Sequence, residues 1–328
     1  MINAKVVGRG IGRMSVPGAA SGRWATSYHA PVLIDPVVAA FEGRRHILDG
    51  TLGGGGHTEA LLEHGATVVA LDRDPQAIAA ASERLAPAIA SGALRVMRAN
   101  FANVDEVPEL AGAQFDGILL DLGISSHQID DASRGFTFRP GAPLDMRMAA
   151  DTGDSAADLL NQLPEEELRV VFAEYADEPK ARRLAREIVH RRESRSFATS
   201  DDLVGAIRGT LGARSGPGDF ARIFQGLRIA VNNEMEGLER ALVSLRDRLA
   251  PGGMMAVIAY HSGEDKRVKH AMREWSTACT CPSRQPICSC GGVALGTLPT
   301  RKAIVSTEEE IAKNPRSRSA RLRLWRRA

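Results

Sequence analysis

Four consecutive glycines, Gly53–Gly56, form the segment best suited to hold a ligand. They follow a short apolar run that ends at Asp49, and a segment of helical character comes next. Backbone without Cβ atoms can approach a ligand closely at such a turn. The dinucleotide pattern G-x-G-x-x-G is not met, because counting from Gly53 places Thr58 at the third glycine. S-adenosylmethionine, which has no phosphates, suits the loop better; a turn without a ligand is the alternative.

Polar residues also follow the other predicted strands. Asp72 comes about twenty residues after the glycines, where a carboxylate can accept hydrogen bonds from two ribose hydroxyls; the alternative is a strand-end cap. Phe101 could pack on an adenine ring or simply belong to the core. Asp121 ends the most apolar strand, where a carboxylate needs a partner such as a sulfonium or an amino group. Together these residues predict a methyl-donor site.

Composition sets the class of protein. The chain has 328 residues, with 44% hydrophobic and 25% charged residues, which is typical of a globular protein. No apolar run approaches the roughly 20 residues that span a bilayer. The formal net charge of +2 does not predict a nucleic-acid partner. Basic residues nevertheless cluster in 180–195 and 313–327, where they form either solvated faces or phosphate contacts.

Residues 1–27 contain four basic residues and no acidic one. We expect a disordered basic arm, since the segment lacks the apolar centre of a secretory signal. An organelle transit peptide and an artefact of start-site choice, with Met14 as the true start, are the alternatives.

Four cysteines are grouped as Cys279-x-Cys281 and Cys288-x-Cys290. The grouping suits a zinc clip, although structural zinc sites favour C-x-x-C spacing, and a reduced cysteine-rich loop is the alternative. Nothing in the sequence supports disulfides. We therefore assign no metal ligand from the sequence.

Strand and helix signals alternate between residues 46 and 126, which predicts an open parallel sheet. Residues 127–225 contain no convincing strand and are expected to form helices. A long helix is predicted from Leu227, a further strand over Met254–Tyr260, and a final edge strand over Ala320–Trp325. The predicted organisation is an α/β core of residues 28–126 and 227–328 with a mostly helical insertion, 127–226.

Seven ordered motifs, which begin at about residue 29 and extend to the end of the chain, carry a resemblance to a known family. They are His29-Ala-Pro-Val-Leu, Asp49-Gly-Thr-Leu-Gly-Gly-Gly-Gly-His57, Asp116-Gly-Ile-Leu-Leu-Asp-Leu-Gly-Ile-Ser-Ser-His-Gln128, Arg134-Gly-Phe-Thr-Phe, Leu144-Asp-Met-Arg-Met, Phe224-Gln-Gly-Leu-Arg-Ile and Asn314-Pro-Arg-Ser-Arg-Ser-Ala. In these motifs the chain resembles the bacterial small-subunit ribosomal RNA (cytosine-N4)-methyltransferases.

The resemblance implies a Rossmann-like class I methyltransferase core that uses S-adenosylmethionine to methylate the exocyclic N4 of a decoding-site cytidine in 16S rRNA. The implied partner is 16S rRNA within the small subunit, and the implied location is the cytoplasm; oligomeric state stays open. The matching positions imply these cofactor contacts: Gly55, Gly56, His57, Asp72, Phe101, Asp121 and Gln128. Two departures from the family, Gly263 where leucine is usual and Lys266 where arginine is usual, put target positioning in doubt. Asp35 where glutamate is common is a minor change.

Catalysis on cytosine N4 should be mostly alignment of the amine with the methyl–sulfur bond. The Asp/Asn-Pro-Pro-aromatic motif of other amino methyltransferases is absent from the sequence after Leu120. We therefore expect Asp145 and His261 to accept from the amine; an ion pair with Arg147 or Arg139, and a core histidine, are the respective alternatives.

The target base must leave its stack to reach such a pocket. Arg134 and Phe136 are expected to grip or stack on it, and the basic segments to contact phosphates. A DNA cytosine-N4 methyltransferase and a non-catalytic ribosome-assembly factor that binds S-adenosylmethionine remain the alternative functions.

Overall fold

A single eight-stranded sheet forms the centre of the protein. The computed structural model describes residues 31–149, 151–279, 281, 285 and 289–328, so the predicted arm 1–27 and Cys288 lie outside the described residues. The strands are β1 (His46–Asp49), β2 (Thr67–Asp72), β3 (Leu94–Arg98), β4 (Phe115–Asp121), β5 (Leu249–Ala259), β6 (Gly296–Thr297), β7 (Ile304–Val305) and β8 (Arg321–Arg327).

The strand order is β3-β2-β1-β4-β5-β8-β6, with β7 also paired to β8. Strands β1 to β5 are parallel to one another, with Leu48 opposite Val69 and Leu119 opposite Ala256. Strand β8 runs antiparallel to β5. The carboxyl ends of β1, β2, β4 and β5 therefore meet at one edge, where open α/β sheets bind ligands. The prediction of an α/β, Rossmann-like core is confirmed.

Helices cover both faces of the sheet. Those of the first half are α1 (Ile34–Ala40), α2 (Gly56–Glu63), α3 (Pro75–Arg84) and α4 (Ala86–Ala90). Asp74 caps α3 by accepting the Gln76 amide at 3.0 Å, and Pro75 occupies the first turn, as the sequence predicts. Between these layers β4 is buried on both faces, with Ile118, Leu119 and Leu120 wholly inaccessible to solvent.

The region after β4 is helical. Its elements are α5 (Ser126–Asp130), α6 (Ala156–Gln162), α7 (Glu165–Val170), α8 (Ala181–Arg192), α9 (Ser200–Leu211) and α10 (Pro217–Val231). These helices bury an apolar cluster of their own, which contains Leu160, Phe172 and Ile188. Leu227 also belongs to this cluster, and α10 passes through the predicted boundary at residues 226 and 227. The limits of the insertion stay a prediction.

The long helix predicted from Leu227 is wrong. Helix α10 ends at Val231, Asn233 adopts a left-handed conformation with φ of 48°, and α11 (Glu234–Asp247) then begins. The apolar spacing continues through the break because both helices bury one face against the rest of the protein. Asparagine tolerates the left-handed region better than most residues, so the Asn232-Asn233 pair was the available signal.

The final strand is not at an edge. Strand β8 lies between β5 on one side and β6 and β7 on the other, and its Leu322 and Trp325 are fully buried. Its outer partners have two residues each. A short strand over Lys302–Val305 was predicted and contains β7, whereas β6 was not predicted. The remaining helices are α12 (Ser262–Trp275) and α13 (Glu308–Lys313). Among the described residues, none of the helices has the length and apolar character that crossing a membrane requires.

Candidate active site

The glycine loop connects β1 to α2 at the carboxyl edge of the sheet. Gly53 and Gly55 have φ of 51° and 78°, values that favour glycine, and they let the chain turn back beneath the start of α2. Asp49 is buried below the loop and accepts hydrogen bonds from Thr58 Oγ1 at 2.7 Å and the Thr51 amide at 3.0 Å. Burial raises the pKa of Asp49, and these hydrogen bonds oppose that rise. Asp49 therefore fixes the loop from inside.

Asp72 ends β2 beside the loop. Its Oδ2 accepts the Gly53 amide at 2.8 Å and its Oδ1 accepts the Asp74 amide at 2.8 Å. Burial raises its pKa to about 6, and the nearby charges of Asp74 and Asp49 act in the same direction. The backbone thus holds the carboxylate in one orientation, with its remaining lone pairs available to a ligand in the cleft.

Asp121 ends β4 and lies close to two other side chains. Its Oδ1 accepts from the Tyr260 hydroxyl at 2.8 Å, and its Oδ2 lies 3.5 Å from His57 Nδ1. His57 Nε2 is 2.9 Å from the Val32 carbonyl oxygen, which can only accept, so Nε2 carries the proton. Burial lowers the pKa of His57 and raises that of Tyr260. The Asp121 carboxylate is therefore presented to the cleft between a phenol that donates to one of its oxygens and an imidazole whose Nδ1 lies near the other.

Gln128 belongs to a buried network that joins the core to the helical region. Its Nε2 donates to Asp74 Oδ2 at 2.7 Å, and its Oε1 accepts the Ser125 amide at 3.0 Å. Arg134 Nη1 donates to the same Asp74 oxygen at 2.9 Å. The side chains of Asp74 and Arg134 are only 2% and 7% exposed. This ion pair ties the segment after β4 to the start of α3.

These elements surround an open cleft of about 1120 Å³, solvent-filled space included. Of the predicted cofactor contacts, Gly56, His57, Asp72, Phe101, Asp121 and Gln128 line it. Gly55 does not, and a Cβ placed there would lie 2.9 Å from Leu85 Cδ1. Gly55 therefore permits the turn to pack on the helix behind it. Six of the seven residues implied by the resemblance thus lie around one cleft, and three of them, Asp72, Phe101 and Asp121, were also indicated by their positions at strand ends.

Further cleft residues were missed by the sequence interpretation. They are Thr51, Arg73, Asn232, Asn233, Glu234, Tyr260 and Glu264. Glu234 forms a paired hydrogen bond with Arg228, with N···O distances of 2.8 and 2.7 Å. Asn232, Asn233 and Glu234 come from the turn between α10 and α11, and Tyr260 and Glu264 come from the end of β5 and the start of α12. Thr51 and Arg73 follow β1 and β2. The paired asparagines were the available signal for the turn.

The predicted catalytic residues lie outside the cleft lining. The Asp145 carboxylate accepts two hydrogen bonds from the Arg147 guanidinium, each of 2.8 Å, as the alternative interpretation expected. His261 follows Tyr260, and its Nε2 is 3.2 Å from Glu264 Oε1. His261 is thus in contact with a residue of the cleft, whereas Asp145 is engaged by Arg147. Neither catalytic assignment is tested by this geometry, and both stay predictions.

Arg134 and Phe136 cannot act as an exposed grip for a base. Both are buried; Arg134 donates to Asp74 and to the carbonyl oxygens of Arg147 and Met148, and Phe136 packs in the helical cluster. The prediction of base contacts by this pair was wrong. Sequence alone did not show that Arg134 would form an ion pair with Asp74, sixty residues earlier.

The atypical Gly263 and Lys266 both belong to α12. A Cβ at Gly263 would lie 3.1 Å from His261 Nδ1, so the missing side chain gives the imidazole room. Lys266 is exposed on the same helix. The departures therefore leave the cofactor side of the cleft unchanged and affect the surroundings of His261.

The fold and the cleft define a class I, Rossmann-like methyltransferase: a parallel sheet with a glycine loop after β1 and acidic residues at the ends of β1, β2 and β4. A model of the MraW methylase family matches residues 26–328. The chain belongs to this family. The predicted cofactor, S-adenosylmethionine, is confirmed at the level of the family.

Two similar proteins align with this chain over nearly their whole length. A ribosomal RNA small subunit methyltransferase H of Gemmatimonas aurantiaca is 58% identical over 313 residues, which are 95% of this chain and 99% of that protein. Its namesake in Heliobacterium mobile is 45% identical over 307 residues, 90% and 98% of the two chains. A solved rRNA methylase from Streptococcus thermophilus is 11% identical, covering 90% of this chain and 93% of its own, with a TM-score of 0.40. That last likeness is too distant to support an argument about function.

Proposed function

We propose that this protein transfers a methyl group from S-adenosylmethionine to the exocyclic N4 of a decoding-site cytidine in the 16S rRNA of the small ribosomal subunit, in the cytoplasm. The observation that carries the proposal is the ring of cleft residues around Asp72 and Asp121. Two relatives of nearly full-length similarity, both named for methylation of small-subunit rRNA, support the choice of substrate.

Each cofactor contact follows from the chemistry of the cleft. The fixed Asp72 carboxylate accepts from the ribose hydroxyls, and Phe101 packs against the adenine. Asp121 is the anionic partner for the sulfonium or the amino group, and the Tyr260 hydroxyl orients its carboxylate. The backbone of Gly53–Gly56 approaches the amino-acid tail of S-adenosylmethionine. Gln128 also lines the cleft, and its hydrogen bond to Asp74 holds it there. A desolvated carboxylate opposite a cation gains more than it would in water.

For the transfer step we propose His261 as the residue that accepts from the cytosine amine. It lies one residue beyond Tyr260 and contacts Glu264, both of which line the cleft. Asp145 is retained as a positioning residue, since Arg147 already occupies its carboxylate. Cytosine N4 is a weak nucleophile, so most of the acceleration comes from holding it in line with the methyl–sulfur bond.

Two surfaces that carry basic side chains are the proposed contacts with RNA phosphates. A shallow groove beside β8 is lined by Lys269, Arg273, Arg301, Lys302 and Arg323. Arg182, Arg183 and Arg186 of α8 are exposed on the helical region. The basic tail is partly structural: Arg323 pairs with Asp265 at 2.7 Å, and Arg327 donates to the Asp247 carbonyl at 3.0 Å. Binding through such contacts weakens steeply with added salt.

The test is transfer of labelled methyl groups to assembled small subunits and, in parallel, to duplex DNA. We expect labelling of the subunits alone, and its loss in Asp72→Ala but not in Glu83→Ala, which removes an exposed carboxylate from the neighbouring α3. Labelling of DNA instead would favour the alternative DNA methyltransferase. Binding of subunits and cofactor without any transfer would identify a non-catalytic assembly factor.

A further inference from the structure

The cysteine-containing segment lies away from the cleft. Glu264 in the first turn of α12 lines the cleft, whereas the helix ends at Trp275, about 17 Å further along its axis. The segment that follows returns to the same place, because the Leu295 amide donates to the Trp275 carbonyl at 2.8 Å just before β6. The cysteines therefore lie far from the cleft, and their role is separate from methyl transfer.

Three sulfurs converge within this segment. The Sγ atoms of Cys279, Cys281 and Cys290 all lie within 4.8 Å of one another, and those of Cys279 and Cys290 are 3.9 Å apart. Four thiolates around one zinc ion, with Zn–S bonds of about 2.3 Å, place neighbouring sulfurs about 3.8 Å apart. A disulfide would need about 2.05 Å. The spacing is that of ligands around one ion.

Hydrophobic burial does not explain this convergence. Cysteine is usually among the most buried residues, yet Cys279 and Cys290 are exposed and Cys281 is half-buried. Two apolar residues in the described part of the same segment also face solvent, with Val293 81% and Leu295 48% exposed. A small core cannot hold the three side chains together, so a cross-link must supply the stability.

The backbone near the sulfurs also favours thiolates. Amides of Ser289 and Cys290 hydrogen-bond to the Cys281 sulfur. Metal-bound thiolates accept such bonds from outer groups, which orient them. A Cβ at Gly292 would lie 2.2 Å from the Ala278 carbonyl oxygen, so the two arms of the segment pass each other at contact distance. The geometry therefore brings Cys279, Cys281 and Cys290 to one point.

We propose that Cys279, Cys281 and Cys290 bind a structural zinc ion that closes the segment between α12 and β6. Soft sulfur ligands in a tetrahedral arrangement select zinc over hard cations. Binding displaces the thiol protons to solvent and needs no redox partner.

The test uses the full chain, purified under reducing conditions without chelators, and elemental analysis by mass spectrometry. We expect about one zinc per chain, lost in Cys279→Ser/Cys290→Ser and kept in Ser289→Ala, which alters the same segment without removing a sulfur. Metal-free, reduced protein titrated with Co²⁺ should develop thiolate-to-cobalt charge-transfer and d–d bands, which the double variant should lack. S-adenosylmethionine binding by the double variant should be unchanged, because the cleft lies at the other end of α12.

Three results would overturn the proposal: reduced wild-type protein without zinc and without cobalt bands, a double variant that keeps both, or a mapped Cys279–Cys290 disulfide in freshly isolated protein. If the double variant does not fold, the single Cys281→Ser decides, since it should weaken cobalt binding while Ser289→Ala does not. All readouts concern the metal, so failure here leaves the methyltransferase proposal intact.

Discussion

The hydroxyl of Tyr260 donates to Asp121 Oδ1 at 2.8 Å and joins the ends of β5 and β4 across the cleft. His57 lies on the other side of Asp121, with its Nδ1 3.5 Å from Oδ2. The hydrogen bond from Tyr260 fixes the direction of the carboxylate. The pair therefore links the sheet to the proposed cofactor site.

Removing the Tyr260 hydroxyl should weaken cofactor binding without loss of the fold. For Tyr260→Phe we expect about a fivefold higher Kd for S-adenosylmethionine, because a hydrogen bond of about 1 kcal/mol no longer orients Asp121. Isothermal titration calorimetry measures this. Tyr175→Phe, in the helical region, is the matched control and should bind normally. Equal affinity of the two variants would show that Tyr260 does not position Asp121.

Cofactor affinity should depend on pH through Asp72. Its folded pKa of about 6 exceeds the ordinary value of 3.8, so without ligand its ionisation lowers the stability of the fold as pH rises from about 4 to 6. A ligand that donates hydrogen bonds to the Asp72 carboxylate instead favours its ionised form. We expect the affinity to be about tenfold lower at pH 5 than at pH 7. In Asp72→Asn the same titration should be nearly flat, and a steep profile in that variant would assign the effect elsewhere.

Arg134 should matter for stability and not for RNA contact. Arg134→Ala leaves Asp74 buried without its cation, so we expect about 3–5 kcal/mol lower free energy of unfolding in urea. Arg169→Ala, which breaks an exposed pair with Glu166, should leave the unfolding midpoint unchanged. A normal unfolding curve for Arg134→Ala, together with weaker RNA binding, would restore the role in base recognition that burial argues against.

His261→Ala should lower kcat by about a hundredfold, the usual effect of losing a group that moves or accepts a proton. The Kd for S-adenosylmethionine should stay unchanged, because His261 lies outside the cleft lining. Asp145→Asn should instead raise KM for the subunit more than it lowers kcat, as expected of a positioning residue. Single-turnover kinetics separate the two. If Asp145→Asn lowered kcat and His261→Ala mainly raised KM, Asp145 would be the catalytic residue and His261 the positioning residue.

The sequence predicted the parallel core because each of its strands carries a local signal. Strand β4 is a continuous apolar run ending at Asp121, and Asp74-Pro75 marks a helix start. The position of β8 was missed because β6 is too short to show a pattern and because the pairing of the predicted short strand that contains β7 depends on tertiary structure. The burial of Arg134 was missed because its partner, Asp74, lies far away in the sequence. Strand-end carboxylates could be found locally, whereas the residues of the α10–α11 turn depend on tertiary packing.

Mass spectrometry of nucleosides and fragments from small-subunit RNA tests the central claim most directly. Subunits lacking the modification are incubated with the protein and S-adenosylmethionine, and the 16S rRNA is then digested. The account predicts one N4-methylated cytidine, located in a decoding-site fragment and absent with Asp72→Ala. A methyl group on carbon 5, on another base, or on no base at all would contradict it.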